Sequence, residues 1–194
     1  MMRRFGRGTA TLVMLVAGAW AAATLAETAP EAEAPPGTIE FVGKNTFATA
    51  NGTFHAWRIV ERAIDPADPT KSHAIVEIDL ASVDTGINRR DDHLRDPDFF
   101  EIDTWPTARV RAYDLSPIGE DEAGRPRFTA RFDVDLHGVE RTVDGEVVLV
   151  EASPPTFEGS LVIDRMQFAV GAPPSRWNPM SIDAEIPVRF RVAF

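Results

Sequence analysis

The stretch FTARFDVDL (Phe128–Leu136) alternates without a break. Phe128, Ala130, Phe132, Val134 and Leu136 fall on one side, and Thr129, Arg131, Asp133 and Asp135 on the other. A period of two belongs to a β-strand with one apolar and one wet face, because successive side chains leave a strand on opposite sides. The same rhythm recurs in SIDAEIPVRFRVAF (Ser181–Phe194), where Ile182, Ala184, Ile186, Val188, Phe190, Val192 and Phe194 oppose Asp183, Glu185, Arg189 and Arg191. It recurs again in IVEIDLASV (Ile75–Val83), TVDGEVVLV (Thr142–Val150) and TFEGSLVID (Thr156–Asp164).

Shorter candidates are TIEFVG (Thr38–Gly43), GTFHAWRIV (Gly52–Val60) and TARVRAYDL (Thr107–Leu115). The second alternates imperfectly around Trp57, as a bulge would make it do. About eight strands of this kind, with turn residues at Asp65–Pro69, Gly119–Pro126, His137-Gly138 and Pro154-Pro155, give a mainly β fold. Alternation does not separate a closed barrel from a sandwich.

One segment breaks the rhythm. NRRDDHLRDPDFF (Asn88–Phe100) crowds aspartates, arginines, a histidine and two phenylalanines together. Asn88 is a suitable helix cap with Asp91 three residues on, and Pro97 should end the helix near Asp96. Asp96-Pro97 can then start a second short turn that Trp105-Pro106 stops. The expectation is a helical insertion over about residues 88–103, aromatics inward and acids outward.

The chain opens with Arg3, Arg4 and Arg7, runs apolar from Thr9 to Leu25 and ends that run in Thr24-Leu25-Ala26. This is the layout of a secretory signal peptide over residues 1–26, and it implies export with cleavage after Ala26. The apolar run is short of the roughly 20 residues needed to span a bilayer, and no later segment is a candidate. Residues 27–36, ETAPEAEAPP, read as a flexible Ala/Pro/Glu leader, leaving 37–194 as one domain.

Without residues 1–26 the chain holds 17 basic and 30 acidic residues, a formal charge of −13. That argues against nucleic-acid binding, which needs clustered Lys and Arg on phosphates, and against docking on an anionic membrane by overall charge. The chain has no cysteine, which removes thiol nucleophiles, CxxC redox pairs and thiolate metal sites.

The aspartates of residues 91–98 are the densest ligand types present. A catalytic zinc site usually wants two or three histidines, and His55, His73, His93 and His137 are far apart in sequence. The calcium-loop glycine and terminal glutamate are missing, and Arg89, Arg90 and Arg95 stand ready to pair with the acids. No metal site is expected. GxSxG, HExxH and P-loop motifs are absent, so no residue is assigned as catalytic.

The aromatics carry the sharper signal. The residues expected to face inward are Phe41, Phe54, Val76, Ile78, Phe99, Phe100, Phe128, Phe132, Val134, Phe157, Leu161, Phe168, Trp177, Ile186 and Phe190. Either they fill a core, or they border a cavity suited to an extended apolar ligand.

Three blocks resemble the signature of the YceI-like family, also called lipid/polyisoprenoid-binding YceI-like proteins. The first is Thr85-Gly86, Arg90-Asp91-Asp92-His93-Leu94, Asp98-Phe99-Phe100 and Trp105-Pro106; the second runs through Leu136, Gly138, Val139, Arg141 and Val143; the third through Ile163, Arg165, Phe168 and Gly171. The resemblance implies a lipocalin-like antiparallel barrel of eight strands, periplasmic secretion, frequent homodimers and an isoprenoid chain as bound ligand. It implies no cofactor and no catalytic activity.

There are departures. The family's opening Asp-x-x-His-Ser is absent from PPGTIEF, Asp135 and Thr142 stand where Thr and Pro are usual, and Gln167 and Ala169 replace Asp and Gly. These bear on the ligand's head group more than on the fold. Arg165 and Arg90, with Arg89, are candidates to meet a phosphate head through charge-assisted hydrogen bonds, against the alternative that they pair with neighbouring acids. Phe99 and Phe100 are expected over one end of the barrel as a lid or plug.

Two other readings stay open. One is a filled-barrel interaction protein serving a membrane redox or stress-response complex. The other is an enzyme acting on an isoprenoid, for which His93 or His137 would be the first candidates.

Overall fold

Ten strands form one antiparallel sheet in the computed structural model, which describes residues 34–194. The expected signal peptide and most of the expected leader lie outside the described residues. The strands are β1 (Gly37–Lys44), β2 (Thr49–Phe54), β3 (Trp57–Ala63), β4 (His73–Asp79), β5 (Val83–Asp84), β6 (Thr107–Glu120), β7 (Pro126–Leu136), β8 (Val139–Ala152), β9 (Pro155–Asp164) and β10 (Glu185–Ala193). One helix, α1 (Asn88–Arg95), lies between β5 and β6. Residues 34–194 form a compact unit that contains all of these elements. No helix among the described residues is long and apolar enough to cross a membrane.

The sheet order is β3-β4-β6-β7-β8-β9-β10-β1-β2-β5. From β6 to β10 each strand pairs with the next along the chain, and β10 returns to pair with β1, Ile39 facing Phe190. Each outermost strand continues the strand that is paired with the other: β2 runs into β3 across His55-Ala56, and β4 reaches β5 through a 3₁₀ turn at Leu80–Ser82. Backbone bonds tie this corner, from His55 N–H to the Ser82 carbonyl at 3.3 Å and from Asp79 N–H to the Ala56 carbonyl at 2.9 Å. The sheet therefore curls into a barrel.

Ten segments replace the expected eight because two strands are each broken once. Phe54 and Trp57 are three apart, so an unbroken strand would send them to opposite faces. Breaking at His55-Ala56 lets Trp57 be buried while Phe54 still faces inward. Leu80 and Val83, also three apart and both fully buried, force the second break. The Asp79 carboxylate supports it by accepting from Ala81 N–H at 2.9 Å.

At the β7–β8 hairpin, His137 and Gly138 both take positive φ, 54° and 71°, as a two-residue turn matching the strand twist requires. The ring of Trp105 lies over Gly138, so close that a Cβ there would be 2.4 Å from it.

Helix α1 ends where Asp96-Pro97 was expected to end it, but its start differs. Ile87, not Asn88, takes the cap position, and no side chain caps the helix. Asp91, expected outside, is 5% exposed. It accepts from the backbone N–H of Thr85 at 2.9 Å and from the Thr85 hydroxyl, so the acid fastens α1 to the end of β5. Residues 97–104 form successive turns in place of a second short helix, closed by Phe99 N–H to the Asp96 carbonyl and Trp105 N–H to the Glu101 carbonyl.

Buried side chains gather in two clusters. One spans β6 to β9 and the turn after β9, around Phe128, Phe132, Leu161 and Phe168. The other joins Ile39, Trp57, Ile78, Leu80, Ala108 and Val192. Each fully buried large side chain contributes roughly 1.5–3 kcal/mol.

Candidate functional site

Small residues at inward positions keep the barrel from filling. Ala74 on β4 and Ala108 and Ala112 on β6 occupy wall positions, and glycines lie opposite two of the rings. Gly52 pairs with Phe41 across β2–β1, and Gly159 with Phe190 across β9–β10. A Cβ on either glycine would come within 2.2 or 2.3 Å of the ring. Each ring therefore lies along the wall where a side chain would otherwise stand. The result is a cavity of about 880 Å³ running through the barrel.

Most of the residues expected to face inward border this cavity. Phe41, Phe54, Val76, Ile78, Phe99 and Phe100 do so, as do Phe132, Val134, Phe157, Leu161, Ile186 and Phe190. The ring centroids of Phe41 and Phe54 are 5.4 Å apart, and those of Phe54 and Phe100 6.0 Å. Three expected residues are elsewhere. Phe128 and Phe168 are buried in the core cluster and do not reach the cavity.

Trp177 is 83% exposed. It lies between β9 and β10 in a Pro/Ser-rich connection with no period to set an inward side, so its size alone was a poor guide. Ala108, Val110 and Ala112 also border the cavity; the alternation of TARVRAYDL marks their side, but side chains this small do not separate a cavity wall from a filled core. Ile87, Leu94 and Met180 were missed because they belong to non-strand segments that cross the barrel mouth, while Ile182, on the apolar side of the alternating stretch, borders the cavity from just before β10.

The cavity has two unlike ends. Near the β3–β4 turn it is bordered by Ile64, Ser72, Leu115, Phe157 and Phe194, all buried or half-buried. At the other end its lining includes exposed Ile87, Arg89, His93, Asp98, Pro173, Ser175, Asn178 and Met180. The mouth is therefore framed by α1 with its flanks and by the connection Ala172–Ile182. Phe99 stands here, edge-on to His93 with centroids 4.9 Å apart and beside Gly171. Phe100 packs instead against both core clusters.

The arginines divide by role. Arg165 is 5% exposed and directs its donors at backbone carbonyls: Asp183 at 2.9 Å, Val170 at 2.7 Å, Ala172 at 2.8 Å and Ile182 at 2.7 Å. Its fifth donor meets the Met166 sulfur at 3.3 Å, so although Arg165 borders the cavity no donor is left for a head group, and the expectation is corrected: it stitches the β9–β10 connection to the barrel. Burial pushes its pKa below the ordinary arginine value, with Asp164 and Asp183 pulling the other way. Arg90 spends Nε on the Thr85 hydroxyl and one terminal nitrogen on the Thr85 carbonyl, both at 2.7 Å. Arg89 is exposed at the mouth.

The acids pair only in part with arginine. Arg95 meets Asp92 at 3.1 Å, whereas Asp98 meets His93 at 3.3 Å. His93, Asp96 and Asp98 hold ligand atoms within 4.8 Å of one another, but all three are exposed at a helix end. His137 lies outside the cavity lining, its Nδ1 3.2 Å from the Phe168 carbonyl and its Nε2 3.3 Å from the Glu101 carboxylate. The two histidines named for an enzyme are thus not brought to one site. What the arrangement can do is enclose an apolar chain and present polar groups at its mouth.

Comparison with known proteins agrees with this architecture. Residues 33–194 match the YceI-like domain. A UPF0312 protein of Photorhabdus laumondii is 29% identical over 98 residues, half of this chain and 44% of that protein, so the matched region spans less than half of the relative. The crystal structure of BcnA from Burkholderia cenocepacia superposes with a TM-score of 0.70 at 24% identity, over 81% of this chain and 96% of that one. A polyisoprenoid-binding domain from Saccharophagus degradans, implicated in plant cell wall breakdown, superposes with a TM-score of 0.58 at 21% identity, over 84% and 97%. Both structural likenesses are of fold. The domain match spans all ten strands and the helix that frames the mouth, and the chain belongs to the YceI-like family.

Proposed function

We propose that this protein is a carrier that holds the tail of an isoprenoid, of polyprenyl phosphate or quinone type, inside the barrel and does no chemistry on it. The observation that carries the reading is the continuous apolar cavity of about 880 Å³, at the upper end of the roughly 300–1,000 Å³ typical of ligand pockets. Burying each CH₂ of such a tail is worth about 0.8 kcal/mol, so a long chain is held without catalytic apparatus. Family membership and the fold shared with a polyisoprenoid-binding domain support the same ligand class. The reading includes export, supported by the pattern of residues 1–26, and the periplasm as its destination, which is what the resemblance to the family implies. The filled-barrel alternative has no support from a hollow interior.

Protein purified from its host should release an isoprenoid on organic extraction and show the matching mass increment by native mass spectrometry. Added long-chain isoprenol at about a hundred times its Kd should raise the melting temperature by roughly 5–10 °C. A lipid-free protein whose melting ignores isoprenols would rule the carrier out.

A further inference from the structure

Large apolar side chains stand in water around the cavity mouth. Phe47 is 72% exposed, Met180 62% and Ile87 52%, and Trp177 is the most exposed of all. Ile87 and Met180 also border the cavity, which puts them on its rim. Trp177 is three residues from Met180. Phe47 tips the β1–β2 hairpin, which is bonded to the same connection through Thr46 N–H to the Pro179 carbonyl at 3.3 Å and Asp183 N–H to the Lys44 carbonyl at 2.8 Å. Apolar residues scattered singly over a surface need no explanation, but a group of four around one opening marks an interaction site.

Along one arc of the rim, from the β1–β2 hairpin through the β9–β10 connection to the start of α1, the charges are mainly basic although the chain as a whole is acidic. Residues 43–50, 85–90 and 172–184 carry Lys44, Arg89, Arg90 and Arg176 against Asp183, in a chain of net charge −10. Arg176 lies over the Trp177 ring, 5.1 Å from its centroid. Acids return beyond the start of α1, where Asp92 pairs with Arg95 and Asp98 with His93, while Asp96 is exposed.

We propose that this rim is a docking surface for an anionic lipid bilayer, with Trp177 and Phe47 entering the interface and Lys44, Arg89 and Arg176 facing the head groups. Trp favours the membrane–water boundary, and basic residues beside apolar ones strengthen adhesion to anionic lipid. A second copy is a poor occupant, because a two-fold contact centred on this basic arc would bring its like charges together at the axis. The inference rests on the carrier reading and deepens it: a tail passing between bilayer and cavity would leave at the mouth without crossing water.

The test is flotation of residues 27–194 with vesicles of phosphatidylethanolamine and phosphatidylglycerol, and with phosphatidylcholine vesicles as the uncharged comparison. Wild-type protein is expected to float with the anionic vesicles, less with phosphatidylcholine, and less as salt rises. The variant combining Trp177→Ser and Phe47→Ser should partition about tenfold more weakly, with unchanged melting temperature and unchanged binding of detergent-dispersed isoprenol, since neither side chain borders the cavity. Brominated acyl chains should quench a component of wild-type fluorescence that the variant lacks.

Wild-type protein that takes up isoprenol yet stays with the unfloated fraction overturns the proposal, as does a variant that floats equally well. A wild-type dimer dissolved by the same two substitutions overturns it in favour of self-association. Failure of the wild type to take up isoprenol would count against the carrier alone, because flotation is read separately.

Discussion

The Phe190 ring lies over Gly159 on the neighbouring strand so closely that a Cβ at Gly159 would be 2.3 Å from the ring and 2.7 Å from the Glu146 carbonyl. Gly159→Ala must therefore displace both a ring and backbone. Stability should fall by about 1–3 kcal/mol, the usual cost of overpacking, and the displaced ring should take volume from the cavity. At Gly52 the three atoms nearest an added Cβ all belong to the Phe41 ring, which can swing into the lumen. Gly52→Ala should cost less stability and still weaken binding of long isoprenols. Paired melting and isoprenol titrations of the two variants check this.

How much of this was legible in the sequence follows from periodicity. Where alternation was clean, as in Phe128–Leu136 and Glu185–Phe194, it gave both the strand and the inward side. It also carried the clue to the broken strands, since Phe54 and Trp57 violate the period. It had nothing to say about Trp177 or Met180, whose positions depend on how a non-periodic connection crosses the barrel. Arg165 and Asp91 were misread for a different reason: residue type suggests a wet charge, and only the tertiary fold supplies the carbonyls and the threonine that allow them to be buried.

Asp91 tests that last point. It is buried and receives both donors of Thr85, and Thr85 in turn receives Arg90 Nε. Asp91→Ala leaves a backbone N–H and a hydroxyl without their acceptor and should destabilise by roughly 2–3 kcal/mol. Asp91→Asn keeps one acceptor without the charge and should lose about half as much. Because Thr85 borders the mouth, hydrogen exchange should rise first over residues 83–95. Unchanged melting in both variants would show that the contact is dispensable.

The β6–β7 hairpin should respond to acid. The Arg125 backbone N–H does most to hold the Asp121 carboxyl below its ordinary value, with the Arg125 side chain at 2.6 Å and the Ala123 N–H assisting, against partial desolvation that raises it. A carboxyl that binds its proton less tightly in the fold than in the unfolded chain adds stability above the usual aspartate range. That contribution disappears as pH falls through the lowered folded value. Asp121→Asn should therefore melt below wild type at neutral pH, with the two curves converging in strong acid. A gap that stays constant with pH would show that ionisation of Asp121 is not its source.

Arg165 and Arg89 should fail in opposite ways. Arg165→Met leaves four carbonyls that it served, those of Val170, Ala172, Ile182 and Asp183, without that donor, and should cost about 2–4 kcal/mol while loosening the connection that frames the mouth. Binding of every isoprenoid should weaken alike, since the change is in the wall and not in a head-group contact. Arg89 is exposed and borders the mouth, so Arg89→Ala should leave melting within about 0.5 kcal/mol of wild type. Its effect should appear only for an anionic head, as a roughly three- to tenfold loss of affinity for prenyl phosphate with prenol unchanged. Titrating both variants with the two lipids separates the roles. If Arg165→Met lost affinity for the phosphate alone, its carbonyl contacts would not be what matters for binding, and the head-group role would return to it.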